Sequence, residues 1–154
     1  MEIADLLSLG DVVDGLRAGS KKQALQELAA IAATQTGRDE RAILDILLAR
    51  ERLGSTGVGA GVAIPHGKLA GLERVSAVFA RLREPIAFDA IDERPVDLVF
   101  LLLAPDTAGA DHLKALALVS RLLRDERACA RLRGADSAEA LYAVLTAAAG
   151  AART

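Results

Sequence analysis

The sequence has one cysteine, Cys129, so no internal disulfide can form, and the chain suits a reducing compartment. Its charges nearly cancel, with a net of −2, which leaves no basic footprint for nucleic acid. The longest continuous apolar run, Leu98 to Pro105, is far too short to span a bilayer. The N-terminus has no positive region followed by an apolar stretch, as a signal peptide would. A soluble, cytoplasmic protein without membrane insertion is expected. Two histidines and the one cysteine, far apart in sequence, fall short of the three or four ligands a zinc site needs. No Gly-Lys-Ser/Thr is present, so a nucleotide-binding loop is excluded on composition as well as order. No metal and no cofactor are expected. No repeat or linker interrupts the 154 residues, a length that one domain with a substantial core can use.

What the chain does have is concentrated between Arg50 and Gly67, which reads RERLGSTGVGAGVAIPHG. A charged helix end runs into a loop with Gly57, Gly59 and Gly61 spaced by single residues. The loop feeds the apolar run Val62-Ala63-Ile64, and Pro65 follows. Proline lacks a ladder donor and pushes the preceding residue toward extended backbone. Ile64 should therefore be the last strand residue, with His66 just past the strand end beside a loop rich in free N–H groups. In a nucleotide loop the glycines follow a strand and open a helix; here a helix precedes them and a strand follows. A nucleophilic histidine fits better, because neutral imidazole is available near neutral pH and can attack phosphorus. Taken alone, Pro65-His66-Gly67 is usually a turn.

The surrounding elements can be read from periodicity and caps. Residues 1–19 hold a brief helical turn and then an edge strand. Ser20 and Gln23 form a capping box for a helix with Ala24, Leu25, Leu28, Ala29, Ile31 and Ala32 on its apolar face, ended by Gly37. Asp39 caps a second helix with Ile43, Leu44, Leu47 and Leu48 inward and Arg50 at its end, where an arginine would ordinarily only complement the helix dipole. Val75 to Ala80 is a strand; Arg83 to Asp92 is a loop; Val96 to Ala104 is a strand buried on both faces. Asp111 should cap a helix over Leu113 to Arg124, with Leu113, Leu116, Ala117 and Leu123 as its apolar stripe and His112 in its first turn. There the dipole favours a neutral imidazole and a nearby phosphate, although a surface helix-start histidine would look the same. Cys129 reads as a small buried residue on a helix. Asp136 and Glu139 box the start of a last helix closed by Gly150, with a frayed tail to Thr154. Interleaved helices and strands predict an α/β fold: a mixed sheet of four to five strands with helices on both faces, and the site at one sheet edge.

The run Arg50, Ser55-Thr56-Gly57-Val58-Gly59 and Gly61 to Gly67 resembles the active-site signature of the enzyme IIA domains of the bacterial phosphoenolpyruvate-dependent phosphotransferase system, of the fructose, mannitol and nitrogen-regulatory type. Pro95 to Phe100 through Pro105, and His112-Leu113-Lys114, resemble the same family, and the likeness spans about residues 3–148 of a single domain. Ala60 departs from the pattern, where a polar residue such as Asn or Glu is expected. The resemblance implies that His66 accepts a phosphoryl group on the ring nitrogen farther from the backbone, from a phosphohistidine on an HPr-like carrier (HPr or NPr). It implies Arg50 and His112 as donors to the phosphoryl oxygens, with Thr56, loop N–H groups and Gly67 at the phosphate. A free-standing domain of this length looks like the nitrogen-regulatory type, which controls targets such as sensor kinases or potassium transporters. The alternatives are a fructose- or mannitol-type component that hands phosphate to a IIB domain, and a docking regulator that is never phosphorylated.

Overall fold

A computed structural model describes residues 1–151 as a mixed β-sheet with helices packed on both faces. The strands are β1 (Val12–Leu16), β2 (Gly57–Gly59), β3 (Val62–Ala63), β4 (His66–Leu69), β5 (Ser76–Ile86) and β6 (Val96–Pro105). Their order is β1-β5-β6-β3-β2, with β4 also paired to β6. Pairings of β1 with β5 and of β3 and β4 with β6 are parallel; those of β5 with β6 and β2 with β3 are antiparallel. The helices are α1 (Ile3–Leu6), α2 (Lys21–Thr36), α3 (Glu40–Arg52), α4 (Ala110–Arg124), α5 (Glu126–Gly134) and α6 (Ala138–Ala151). No helix among the described residues is long and apolar enough to cross a membrane.

Strand β6 organises the interior. Its residues Val96 to Pro105 are nearly all buried because both sheet faces are covered. Alternation sends Val99, Leu101 and Leu103 into the core shared with α2 and α3. Leu98, Phe100 and Leu102 enter the other core, with α1, α4, α5 and α6. Phe79 on β5 meets Phe100 edge-on at 6.0 Å between ring centroids.

Pro65 does not end the strand as the sequence suggested. Val62 pairs with Leu98 and Ala63 with Val99, then His66 pairs with Leu102 and Gly67 with Leu103 in the same register. The proline only breaks the hydrogen-bond ladder locally, while its carbonyl still accepts from Leu102 N–H at 2.9 Å. His66 is thus the first residue of β4 rather than a residue beyond a strand. Counted as one interrupted strand, β3 and β4 bring the sheet to the five expected.

Several local signals act as read. The Ser20 hydroxyl accepts from Gln23 N–H, Asp39 accepts from Ala42 N–H, and Gly37 closes α2 with φ 71°. The Gln23 side chain reaches back to Gly19 N–H, one residue short of a strict box. Others differ. Arg83 to Ile86 continues β5 after a register irregularity, so the predicted loop begins later. Helix α4 starts at Ala110 with Gly109 as its cap, which puts Asp111 inside the first turn. Its buried stripe is Ala115, Val119, Leu122 and Leu123, and Leu113 is 68% exposed. Ser137, not Asp136, caps α6 through Ala140 N–H, and α6 runs through Gly150 to Ala151. The tail from residue 152 to Thr154 lies outside the described residues.

Candidate functional site

Three elements bring the predicted residues together. β4 supplies His66, the end of α3 supplies Arg50, and the first turn of α4 supplies His112. The rings of His66 and His112 lie 5.8 Å apart between centroids and tilt by 48°. His66 Nδ1 sits 2.8 Å from the Ile64 carbonyl oxygen, an acceptor only, so Nδ1 carries the proton. The other nitrogen, Nε2, then holds a lone pair, and Arg50 Nε–H donates toward it at 3.3 Å. A second Arg50 bond, from Nη1 to the Gly54 carbonyl at 2.7 Å, ties the guanidinium to the loop that follows α3.

The site favours the neutral form of both rings. Burial lowers the His66 pKa below 6.5, opposed by the Ile64 hydrogen bond and reinforced by the Arg50 cation. Burial also lowers that of His112, with His66 and Lys68 adding to the shift. His112 Nδ1 is buried and has no hydrogen-bond partner among the described residues, so this polar atom has capacity to spare. Lys68 lies two residues beyond His66 on β4, hence on the same strand face, and escaped the sequence reading; alternation from His66 was the signal that could have found it.

The glycine loop differs from expectation in one respect: several of its N–H groups are already used. Thr56 N–H donates to Glu51, Gly57 N–H to the Ser55 hydroxyl, and Ala60 N–H to Asp92. The Thr56 hydroxyl, proposed for phosphate, is buried and donates to Glu51 at 2.5 Å. The Ser55 hydroxyl donates to the Phe88 carbonyl, and Ile91 N–H donates to the Gly57 carbonyl, so the 88–92 segment helps to hold the glycine loop. A Cβ at Gly57 would lie 2.8 Å from that of Ala90, too close for any other residue. Ala60 and Arg94 N–H groups hold the Asp92 carboxyl below its ordinary pKa. Gly67 allows β4 to pass Ile46 of α3, whose Cγ2 would collide with any added Cβ. Glu51, Lys21 and Asp92 were not legible as site residues, because their partners are distant in the chain.

Charge and shape suit an open site. A cleft of about 600 Å³ lies elsewhere, lined by Asp5, Asp11, Arg38 and Arg74 among others, and none of its lining residues is Arg50, His66 or His112. Leu53, which follows α3, and Leu113, which follows His112, are exposed. A half-buried histidine with a lone pair on Nε2, an adjacent guanidinium and a second imidazole can accept and hold a phosphoryl group.

Comparison with known proteins agrees in fold and in kind. The chain is 58% identical over 145 residues to a nitrogen regulatory protein of Bradyrhizobium diazoefficiens, covering 94% of this chain and 95% of that one. It is 48% identical over 128 residues to a nitrogen regulatory protein of Escherichia coli K12, covering 82% of this chain and 78% of that one. The crystal structure of nitrogen regulatory protein IIA-Ntr from Neisseria meningitidis superimposes with a TM-score of 0.89 at 38% identity, covering 94% of this chain and 99% of that one. Residues 5–148 match the family described as phosphoenolpyruvate-dependent sugar phosphotransferase system, EIIA 2. With the match running from α1 into α6 and across every strand of the sheet, the chain belongs to the EIIA type 2 family of the phosphotransferase system.

Proposed function

We propose that this chain is a cytoplasmic phosphocarrier whose His66 takes a phosphoryl group from a phosphohistidine on an HPr-like protein. The observation that carries the proposal is the tautomer: Ile64 occupies Nδ1, leaving the lone pair on Nε2, where the Arg50 guanidinium already stands. In the transfer, Nε2 attacks phosphorus as the donor's nitrogen–phosphorus bond breaks. The donor nitrogen keeps the electron pair and its ring becomes neutral. The proton on His66 Nδ1 stays in its bond to Ile64 and stabilises the ring once Nε2 is substituted.

Phosphoryl transfer spreads charge over three oxygens, so placed donors and cations do most of the catalysis. Arg50 is assigned to those oxygens, its guanidinium swinging from Nε2 to the incoming group. His112 is assigned as a second donor through a ring N–H. Thr56 acts indirectly through the loop, and Gly67 keeps the strand bare of side chain between His66 and Lys68. The added group brings about −1.5 to −2 charge to this surface, enough to change which protein docks there.

The names of the relatives favour the regulatory form, in which target proteins such as sensor kinases or potassium transporters read the phosphorylation state. The family description, which names a sugar phosphotransferase system, keeps a second form in view: hand-over of the phosphoryl group to a IIB domain. Intact mass after incubation with phosphoenolpyruvate, enzyme I and an HPr-type carrier tests the proposal. One acid-labile phosphate, absent from His66→Ala, is the expected result. No added phosphate with HPr-type and NPr-type donors would leave a docking regulator as the better reading.

A further inference from the structure

Behind His66 lies a buried ion pair that the phosphocarrier chemistry does not call on directly. Glu51 is the penultimate residue of α3, and its side chain is 6% exposed. A carboxylate at a helix C-terminus faces the negative end of the dipole, an unfavourable place that needs compensation. Three donors supply it. Lys21 Nζ, from the first residue of α2, lies 2.8 Å from Oε1. Thr56 N–H donates to Oε1 at 3.0 Å, and the Thr56 hydroxyl donates to Oε2. Lys21 is itself held 4.9 Å above the Phe88 ring, within cation–π range.

Hydrogen bonds continue from Thr56 to the histidine. The Thr56 carbonyl accepts from Ile64 N–H at 3.0 Å, and the Ile64 carbonyl accepts from His66 Nδ1 at 2.8 Å. Thr56 and Ile64 are therefore the joint between the ion pair and the ring. The carbonyl that fixes the tautomer belongs to a residue followed by proline, so this short strand has fewer ladder bonds of its own to hold it. From this juxtaposition we infer that Glu51, clamped by Lys21 and Thr56, is a positioning residue that holds the Ile64 carbonyl on His66 Nδ1 and so keeps Nε2 as the acceptor of the phosphoryl group.

The inference rests on the phosphocarrier reading for its kinetic part and on the tautomer alone for its structural part. Where a histidine binds a metal, losing the partner of its other ring nitrogen costs about tenfold to a hundredfold, and an effect of that order is expected here. Three variants of the full chain separate the clamp from simple packing: Glu51→Gln, Thr56→Val, which keeps shape and loses the hydroxyl, and Thr56→Ser, which keeps the hydroxyl. Two readouts apply: the nitrogen-15 shifts of the His66 ring in the free protein, and kcat and KM with a phosphorylated HPr-type carrier. Expected for Glu51→Gln and Thr56→Val are a ring no longer held in the Nδ1–H form, a fall in kcat of roughly tenfold or more, and KM within about twofold. Thr56→Ser should restore both readouts. Should Glu51→Gln fail to fold, the near-isosteric Thr56→Val decides. A wild-type tautomer and kcat in Thr56→Val, or a Thr56→Ser variant as impaired as Thr56→Val, would overturn the clamp. If the unaltered chain takes no phosphate at all, the phosphocarrier reading falls, and the ring tautomer still judges the clamp.

Discussion

Arg50 Nε donates to His66 Nε2 across 3.3 Å, so the cation of α3 stands at the nitrogen that would bond phosphorus. The contact cannot persist once Nε2 is substituted, which frees the guanidinium for the phosphoryl oxygens. Arg50→Ala should slow phosphorylation of His66 by roughly a hundredfold or more. Arg50→Lys should recover only part, since an ammonium cannot bridge the Gly54 carbonyl and the ring in one rigid fork. Single-turnover transfer from a phosphorylated carrier checks both; an unchanged rate in Arg50→Ala would remove the residue from the scheme.

Burial, with Arg50 adding to it, lowers the His66 pKa below 6.5, so the attacking neutral form persists into mildly acidic solution. The transfer rate should stay level as pH falls to 6.5 and decline only below it. Arg50→Ala removes one of the lowering causes and should move the His66 titration upward, read from ring proton shifts.

Stability should show the same asymmetry. Below pH 6.5 the unfolded chain binds protons at His66 and His112 more readily than the folded one, so folding stability falls as pH drops through that window. Thermal melts between about pH 7 and pH 5 should show a decline that His66→Ala and His112→Ala each reduce. A pH slope of the melting temperature that neither variant changes from that of the unaltered chain would contradict the lowered pKa values.

At Gly67, β4 passes close against Ile46 of α3. Gly67→Ala forces its Cβ into Ile46 and should destabilise the fold by about 1–3 kcal/mol. Urea unfolding measures it, and pairing the change with Ile46→Ala should recover part of the loss if the collision is the cause.

Ala60, the departure from the family pattern, has φ 55°, a left-handed conformation that costs a non-glycine residue energy. Its backbone is held by Asp92 on one side and by Arg133, which donates to its carbonyl at 2.8 Å, on the other. Both bonds are main-chain, so Ala60→Gly keeps them and should stabilise the fold by about 1 kcal/mol without altering transfer. Asn, which tolerates this conformation, should do nearly as well. Lower stability in Ala60→Gly would mean the hairpin tip carries no strain.

Where the sequence spoke through local chemistry, the structure follows it. Ser20, Gly37 and Asp39 act on groups within four residues, and the apolar run of β6 needs only its own composition to be read as a central strand. Arg50 and His66 were legible as candidates because their stretch is long, and His112 through a separate, shorter likeness; α3, β4 and α4 bring the three together. What stayed hidden depends on partners far along the chain. Lys21 and Glu51 meet across two helices, and Asp92 meets Ala60 across two turns. Asp111 looked like a cap by residue type, but Gly109 can adopt φ 53°, and the helix begins there instead. Leu113 fits a helical apolar period, yet the face it occupies turns to solvent because Ala115 and Val119 carry the packing.

The most direct measurement is to find which nitrogen carries the phosphoryl group, by phosphorus–nitrogen correlation in nitrogen-15-labelled, phosphorylated protein. Ile64 on Nδ1 and Arg50 at Nε2 together predict phosphorus bonded to His66 Nε2, with a proton retained on Nδ1. Phosphorus on Nδ1, or on His112, would contradict the tautomer from which the mechanism is built.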